Sequence, residues 1–186
     1  LQYGLTFSGL ALMAATPAVL LVQSEVIFGV IIAAILLGER PSLRQILGIA
    51  MASCGVVVIL GAPALEGQWL GIGLVLSGAL VWAFGQILIR RLDGALGGFQ
   101  LTAWIGLIAG PQMLLASCLI DGNPLPAIQA APIEGWLTVI YLGVVMTAIG
   151  YSAWYYVLAR YPVPMVMPVL LLLPVAAIFG AVTMLG

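Results

Sequence analysis

Apolar residues in this chain do not recur at the spacing of a surface helix or alternate as in a strand. They run on in long blocks and stop abruptly. A helix needs about 20 consecutive apolar residues to cross a hydrocarbon core of roughly 30 Å. Six stretches meet that length, over 17–38, 43–62, 68–89, 98–119, 134–158 and 164–186. A seventh, 1–15, is apolar but short for a full span. The interruptions have the chemistry of helix ends. Thr16-Pro17 puts proline in a first turn, Gly38-Glu39-Arg40-Pro41 ends a helix sharply, and Asp93-Gly94 with Gly97-Gly98 forms a flexible link. Asp121-Gly122-Asn123-Pro124 opens the longest loop. The pattern predicts an all-α integral membrane protein with seven transmembrane helices.

Composition agrees with the pattern. A chain of 186 residues that is 64% hydrophobic and 6% charged has too little polar surface to cover a soluble core, and its mean hydropathy is +1.27. Charge then supplies an orientation. The basic residues are five arginines: Arg40 and Arg44 in one gap, Arg90 and Arg91 in a second, Arg160 in a third. The intervening gaps, around Glu66 and from Ile120 to Glu134, hold only acidic charge. Short basic loops stay on the cytoplasmic side during insertion, so the arginine loops are expected to be cytoplasmic. The first segment then runs outward and the following ones alternate. Trp69 and Trp136 are expected at the outer boundary and Tyr161 at the inner one. Cys54 and Cys118 lie inside apolar helices and read as small packing residues. No basic stripe suggests nucleic acid.

Sliding the chain on itself by 148 residues superposes Tyr3 on Tyr151, Leu10-Ala11 on Leu158-Ala159 and Leu37-Gly38 on Leu185-Gly186. The offset lays one helix–break–helix pair on another. An odd number of crossings separates the copies, so they have opposite orientations. Inverted repeats with a substrate site near the midplane are a common construction of secondary transporters. The expected whole is a ten-helix bundle of two inverted five-helix repeats. Residues 1–62 would form the C-terminal part of the first repeat, and 63–186 the second repeat without its last helix. A piece lacking three helices is expected to be inactive alone.

Val22-Gln23-Ser24-Glu25-Val26-Ile27-Phe28, followed by Leu36-Leu37-Gly38-Glu39-Arg40, resembles the EamA-type permeases of the drug/metabolite transporter superfamily. So do Tyr161-Pro162-Val163, Met167-Pro168-Val169 and Leu173-Pro174-Val175. The resemblance covers essentially the whole chain as helices three to nine of ten. It is nearest to the amino-acid metabolite branch, the O-acetylserine and cysteine exporters. Glu25 stands where that branch is expected to carry a neutral residue. The resemblance implies a multi-pass protein of the bacterial inner membrane.

Glu25 is the one ionisable side chain deep within an expected span. A carboxylate in hydrocarbon is costly, so it should face the bundle interior and mark a substrate or ion path. Its candidate roles are proton coupling and contact with a substrate ammonium; the bland alternative is a carboxyl hydrogen-bonded to a neighbouring helix. Gln23 lies two positions earlier, about 200° around a helix, and faces elsewhere. Trp82 and Gln86, spaced i,i+4, share a face and offer an aromatic wall and an amide to a polar solute. Tyr151 with Tyr155 repeats the spacing, as does Tyr3 with Phe7. Rings packed between helices are the bland alternative here. Pro168 and Pro174 are expected to interrupt the last helix, and Pro111 an earlier one. Proline frees backbone carbonyls that need a partner or a water-lined cavity, so Pro168 and Pro174 are candidate gating positions. Gly106/Gly110, Gly67/Gly71 and Gly48/Ala52 allow close helix contact. Glu39, with Arg40 and Arg44, reads as a solvated cluster at a helix end.

Together these features point to a secondary transporter that exports small polar metabolites, amino acids or cysteine-pathway compounds, by alternating access. Its partners would be the small-molecule substrate, the lipid bilayer and, as an open case, a second copy of the chain. No cofactor or metal is called for. An enzyme fares poorly: without His there is no His-Glu-x-x-His zinc site, and no Gly-x-Ser-x-Gly elbow occurs. A retinal protein would need a Schiff-base lysine. A seven-helix sensor or scaffold remains the alternative, and leaves the inverted repeat unexplained.

Overall fold

Helix accounts for all regular structure in the computed structural model, which describes residues 1–60, 68–92, 94–120 and 122–185. The elements are α1 (Gln2–Ala11), α2 (Ala15–Val22), α3 (Ser24–Leu36), α4 (Leu43–Leu60), α5 (Trp69–Arg91) and α6 (Gly98–Ile120). They continue with α7 (Leu125–Ala130), α8 (Ile133–Ile140), a π-helical stretch Tyr141–Tyr151 and α9 (Ser152–Arg160). The chain ends with α10 (Val163–Val166), a 3₁₀ stretch Met167–Leu172 and α11 (Leu173–Leu185). Among the described residues, three helices are long and apolar enough to cross a membrane: Trp69–Arg91, Gly98–Ile120 and Ile133–Arg160. The acidic gap around Glu66, the link residue Asp93, Asp121 and Gly186 lie outside the described residues.

Local chemistry sets the helix ends. Ser42 and Gln45 form a reciprocal capping box at the start of α4: Gln45 N–H donates to Ser42 Oγ at 3.3 Å, and Ser42 N–H to Gln45 Oε1 at 2.7 Å. Gly38 takes a left-handed φ of 70° and turns the chain out of α3. The Asn123 carboxamide accepts from Leu125 N–H at 3.0 Å and starts α7.

The chain divides into two compact units, Leu1–Arg91 with Tyr161–Gly186, and Leu92–Arg160. In the first, α5 is the central helix, packed along α1, α2 and α3. Its small residues admit α1 closely: a Cβ on Gly9 would stand 2.7 Å from Val75 Cγ2 and 2.9 Å from Gly71 O, and one on Gly78 would meet Thr6. Gly9 opposite Gly71 and Thr6 opposite Gly78 make α1 antiparallel to α5. Arg91 Nη2 donates to Leu36 O at 3.0 Å, so α3 runs parallel to α5. The 3₁₀ stretch packs on α3 and α4. Val26, Val30, Ala33, Val75, Ala83, Ile87 and Met167 fill the core between these elements.

The second unit holds α6 against the continuous helix Ile133–Arg160. Gly98 lets the two backbones touch, because a Cβ there would collide with Ser152 O. Ser152 Oγ donates to Thr102 Oγ1 at 3.1 Å, and Thr102 Oγ1 donates to Gly98 O at 2.9 Å. Hydroxyls in such a seam bond across helices where lipid offers no alternative partner. Most of α6 keeps its apolar side chains unburied, and its length and composition are those of a candidate membrane span.

Several expectations need correction. Within 17–38 the helix is distorted at Gln23, which stays in the α region, and an apolar helix runs through it over Leu20–Leu36. Pro111 does not interrupt α6, which stays α-helical from Gly98 to Ile120 with Pro111 exposed. Losing one i→i−4 bond leaves the ladder intact on either side. Cys54 and Cys118 are free and exposed instead of packed. A Cβ on Gly48, Gly106 or Gly110 would meet nothing within 4 Å; close contact forms at Gly71, as expected, and also at Gly9, Gly29, Gly78 and Gly98, while Gly67 lies outside the described residues.

Candidate functional site

The break in the expected 17–38 span falls at Gln23. This residue has φ −62° and ψ −15°, and the next helix starts on a tightened bond from Val26 N–H to Gln23 O at 3.2 Å. Ser24 Oγ turns back to donate to Leu21 O at 2.5 Å. A serine hydroxyl competing for a helix carbonyl is the local reason the ladder yields here. Glu25 therefore sits in the first turn of α3 rather than mid-helix. It is partly buried, and no hydrogen bond or ion pair joins its carboxylate to another described residue.

Glu25 shares a face with Gly29, one turn on. Gly29 is where α3 meets the proline-bearing segment: a Cβ there would overlap Met167 Cε. The prolines make that segment irregular as expected. Pro174 has no N–H to give Leu170 O, and Leu173 N–H supplies it instead in a 3₁₀ bond. Pro168 is half-buried and Pro174 buried. Glu39 lies near Val163 and Gly29 near Met167, so α3 runs antiparallel to the segment. At a rise of about 1.5 Å per residue in α3 and about 2 Å in a 3₁₀ helix, Glu25 lies at the level of the 3₁₀ stretch.

On α5, Gln86 is 3% exposed and is the buried polar side chain of the described core. No buried side-chain N or O among the described residues lacks a partner. Trp82 is half-buried on the same face. Counting back from the Leu36–Arg91 contact at about 1.5 Å per residue puts Trp82 near the level of Glu25, and Gln86 about one turn from Trp82 toward the Glu39 end. The unit thus gathers Glu25, Trp82 and the proline-broken segment more closely than Gln86. Gln23 is half-buried at the break itself. The groove between α3 and α4, about 340 Å³ and lined by Ile27, Val30, Ile31, Ala34, Ile35 and Ile46 among others, is apolar and offers nothing to a polar solute.

Tyr151 and Tyr155 belong to the second unit. Their rings lie 5.7 Å apart, tilted by 35°, just as Tyr3 and Phe7 stack at 6.1 Å in the first. Tyr155 is buried at the edge of a cavity of about 450 Å³ lined also by Gly97, Gly98, Tyr156 and Arg160. Arg160 lies over the Tyr156 ring, 3.4 Å from its centroid.

Glu39 was not expected to matter. It is 17% exposed and pairs with Arg90 at 3.0 Å, rather than with its neighbours Arg40 and Arg44. Its second oxygen accepts from Val163 N–H at 2.6 Å. No local pattern announces a partner that far along the chain.

Three helices long and apolar enough to cross a membrane, with a proline-disturbed backbone beside them, fit the class of polytopic membrane proteins. Sequence comparison makes the class particular. The profile of the EamA-like transporter family matches residues 1–61 and 69–186, and the chain belongs to that family. A "Probable amino-acid metabolite efflux pump" of Salmonella typhimurium is 32% identical over 182 residues, covering 94% of this chain and 60% of the relative. The protein of the same description from Escherichia coli K12 is 32% identical over 181 residues, covering 93% and 60%. A "Probable terminal-alkyne amino-acid exporter" of Streptantibioticus cattleyicolor is 31% identical over 171 residues, covering 91% and 56%. The chain thus spans at most 60% of the length of these relatives. No solved structure matches.

Proposed function

We propose that the protein is a secondary transporter of the bacterial inner membrane that exports small polar metabolites, amino acids foremost, by alternating access of two inverted repeats. The observation that carries this reading is the half-buried Glu25 carboxyl, beside the helix distortion at Gln23 and level with the 3₁₀ stretch. At Gln23 the helix ladder tightens locally, with Val26 N–H on Gln23 O and Ser24 Oγ on Leu21 O. The Glu25 carboxylate beside this point is an acceptor suited to the ammonium of an amino acid. Transporters of inverted-repeat construction bind solutes at such discontinuities.

Further support comes from several sides. The names of the relatives concern amino-acid efflux and export. The two stretches matched by the family profile part where the repeat boundary was expected. The directions of α1, α3, α5 and α10 within the first unit agree with an alternation that puts Arg40, Arg44, Arg90, Arg91 and Arg160 in cytoplasmic loops. In this reading Trp82, Gln86, Tyr151 and Tyr155 line the path, Glu25 couples proton movement to it, and Pro168 and Pro174 let the last segment bend. The test is loss of preloaded, labelled neutral and cysteine-related amino acids from cells expressing the full-length protein. Faster loss than from cells with an empty vector supports the proposal; equal loss for every solute removes it.

A further inference from the structure

The Glu39 carboxylate is engaged from two directions. Arg90 Nε donates to Oε1 at 3.0 Å and Val163 N–H donates to Oε2 at 2.6 Å. Arg90 closes α5, Val163 opens α10, and Glu39 itself follows α3 through the Gly38 turn. One side chain therefore joins the same ends of three helices, with partners 51 and 124 residues away in the chain.

The Val163 amide has a specific need for it. The first N–H groups of a helix have no intrahelical acceptor. In this turn Pro164 has no N–H, while Met165 and Val166 both donate to Pro162 O. Val163 is left with the one donor that must find an acceptor elsewhere, and Glu39 supplies it. Among the described residues, this is the one side-chain hydrogen bond from α10, the 3₁₀ stretch or α11 to the helices they pack on. Beyond it the seam is apolar, closed at Gly29 by the flexible Met167 side chain. Among the described residues, the proline-broken segment is pinned by a side-chain hydrogen bond at its Glu39 end.

Resting on the transport reading and its orientation, we propose that Glu39 is a positioning residue that latches the cytoplasmic end of the proline-broken segment to α3 and α5. The state seen here is the one closed toward the cytoplasm on this seam. Taking up solute from the cytoplasm requires Glu39 to release Val163 and Arg90. Charge-assisted bonds suit this role, because they hold the closed state and exchange for water when the ends part. With the pair partly exposed, water is at hand to replace them.

The test uses the full-length protein with its native cysteines, Cys54 and Cys118 among them, replaced by alanine, and Ala33→Cys introduced. Ala33 is fully buried in the seam, one turn from Gly29 toward Glu39. A membrane-impermeant maleimide is applied to the cytoplasmic face of inverted vesicles. Glu39→Ala is expected to speed labelling by about tenfold, a factor of about 1.4 kcal/mol, within what a lost charge-assisted hydrogen bond provides. Arg90→Gln, which leaves the Val163 bond in place, and Glu39→Gln, which keeps an acceptor for Val163, should each give a smaller increase. Labelling from the outer face should not rise. If Glu39→Ala does not fold, Arg90→Gln and Glu39→Gln decide the matter. Labelling rates equal to wild type in every folded variant overturn the latch. Amino-acid efflux measured on the same proteins keeps the two ideas apart: no efflux from wild type sinks the transport reading and leaves the labelling ratio to judge the latch.

Discussion

Gly29 leaves open on α3 the space that the end of the Met167 side chain fills; a Cβ at this position would overlap Met167 Cε. The proline-disturbed segment closes on α3 at this point, one turn from Glu25. A larger side chain must displace the Met167 side chain, which is fully buried and has little room to retreat. Gly29→Leu is expected to destabilise the protein by about 1–3 kcal/mol, the usual cost of overpacking. Met167 is flexible, so Met167→Ala in the same chain should recover part of the loss, a coupling of about 0.5–3 kcal/mol. Thermal unfolding of the two single variants and the double variant in detergent measures it; additive losses would separate the two residues.

The glycines of α5 and α6 should respond differently to the same change. A Cβ on Gly78 meets the Thr6 side chain, with Thr6 N at 3.2 Å and Gln2 O at 3.4 Å, so backbone bars any retreat. Gly106 has open space around it. Gly78→Leu is therefore expected to cost at least about 1 kcal/mol, and Gly106→Leu to stay within about 0.5 kcal/mol. Comparing melting temperatures of the two purified variants checks this, and equal losses would contradict the packing described.

The Ser152–Thr102 bond ties α6 to α9 where both helices carry otherwise apolar surface. Ser152→Ala should lower stability by about 0.6 kcal/mol, the mean for interhelical side-chain bonds in membranes. Thr102→Val should cost a similar amount, and the double variant no more than either alone. A double-mutant cycle on unfolding free energies reads the coupling directly.

Much of this architecture was legible because glycine and proline punctuate the apolar runs. The ends of α5 and α6 fall within a few residues of the expected spans, and Pro168 and Pro174 bracket the 3₁₀ stretch they were expected to disturb. The break at Gln23 was not legible. The polar triplet Gln23-Ser24-Glu25 marks the place without glycine or proline, and what distorts the helix is a serine hydroxyl taking a backbone carbonyl. Pro111 misled in the opposite sense, since a proline on an exposed helix face costs one bond and no neighbour. The i,i+4 pairs Tyr3/Phe7 and Tyr151/Tyr155 stack as their spacing implies, because that contact is local. Glu39 escaped for the converse reason: nothing around it in sequence identifies Val163 or Arg90 as its partner.

The central claim, that Glu25 at the helix break carries the coupling of an amino-acid exporter, is tested most directly in proteoliposomes of the full-length protein. Efflux of a labelled neutral amino acid is followed with and without a pH gradient, for wild type and Glu25→Gln. The account predicts that wild-type efflux responds to the gradient and that Glu25→Gln efflux does not. Efflux that responds equally in both would contradict the role given to Glu25, and no efflux of any amino acid from wild type would contradict the exporter itself.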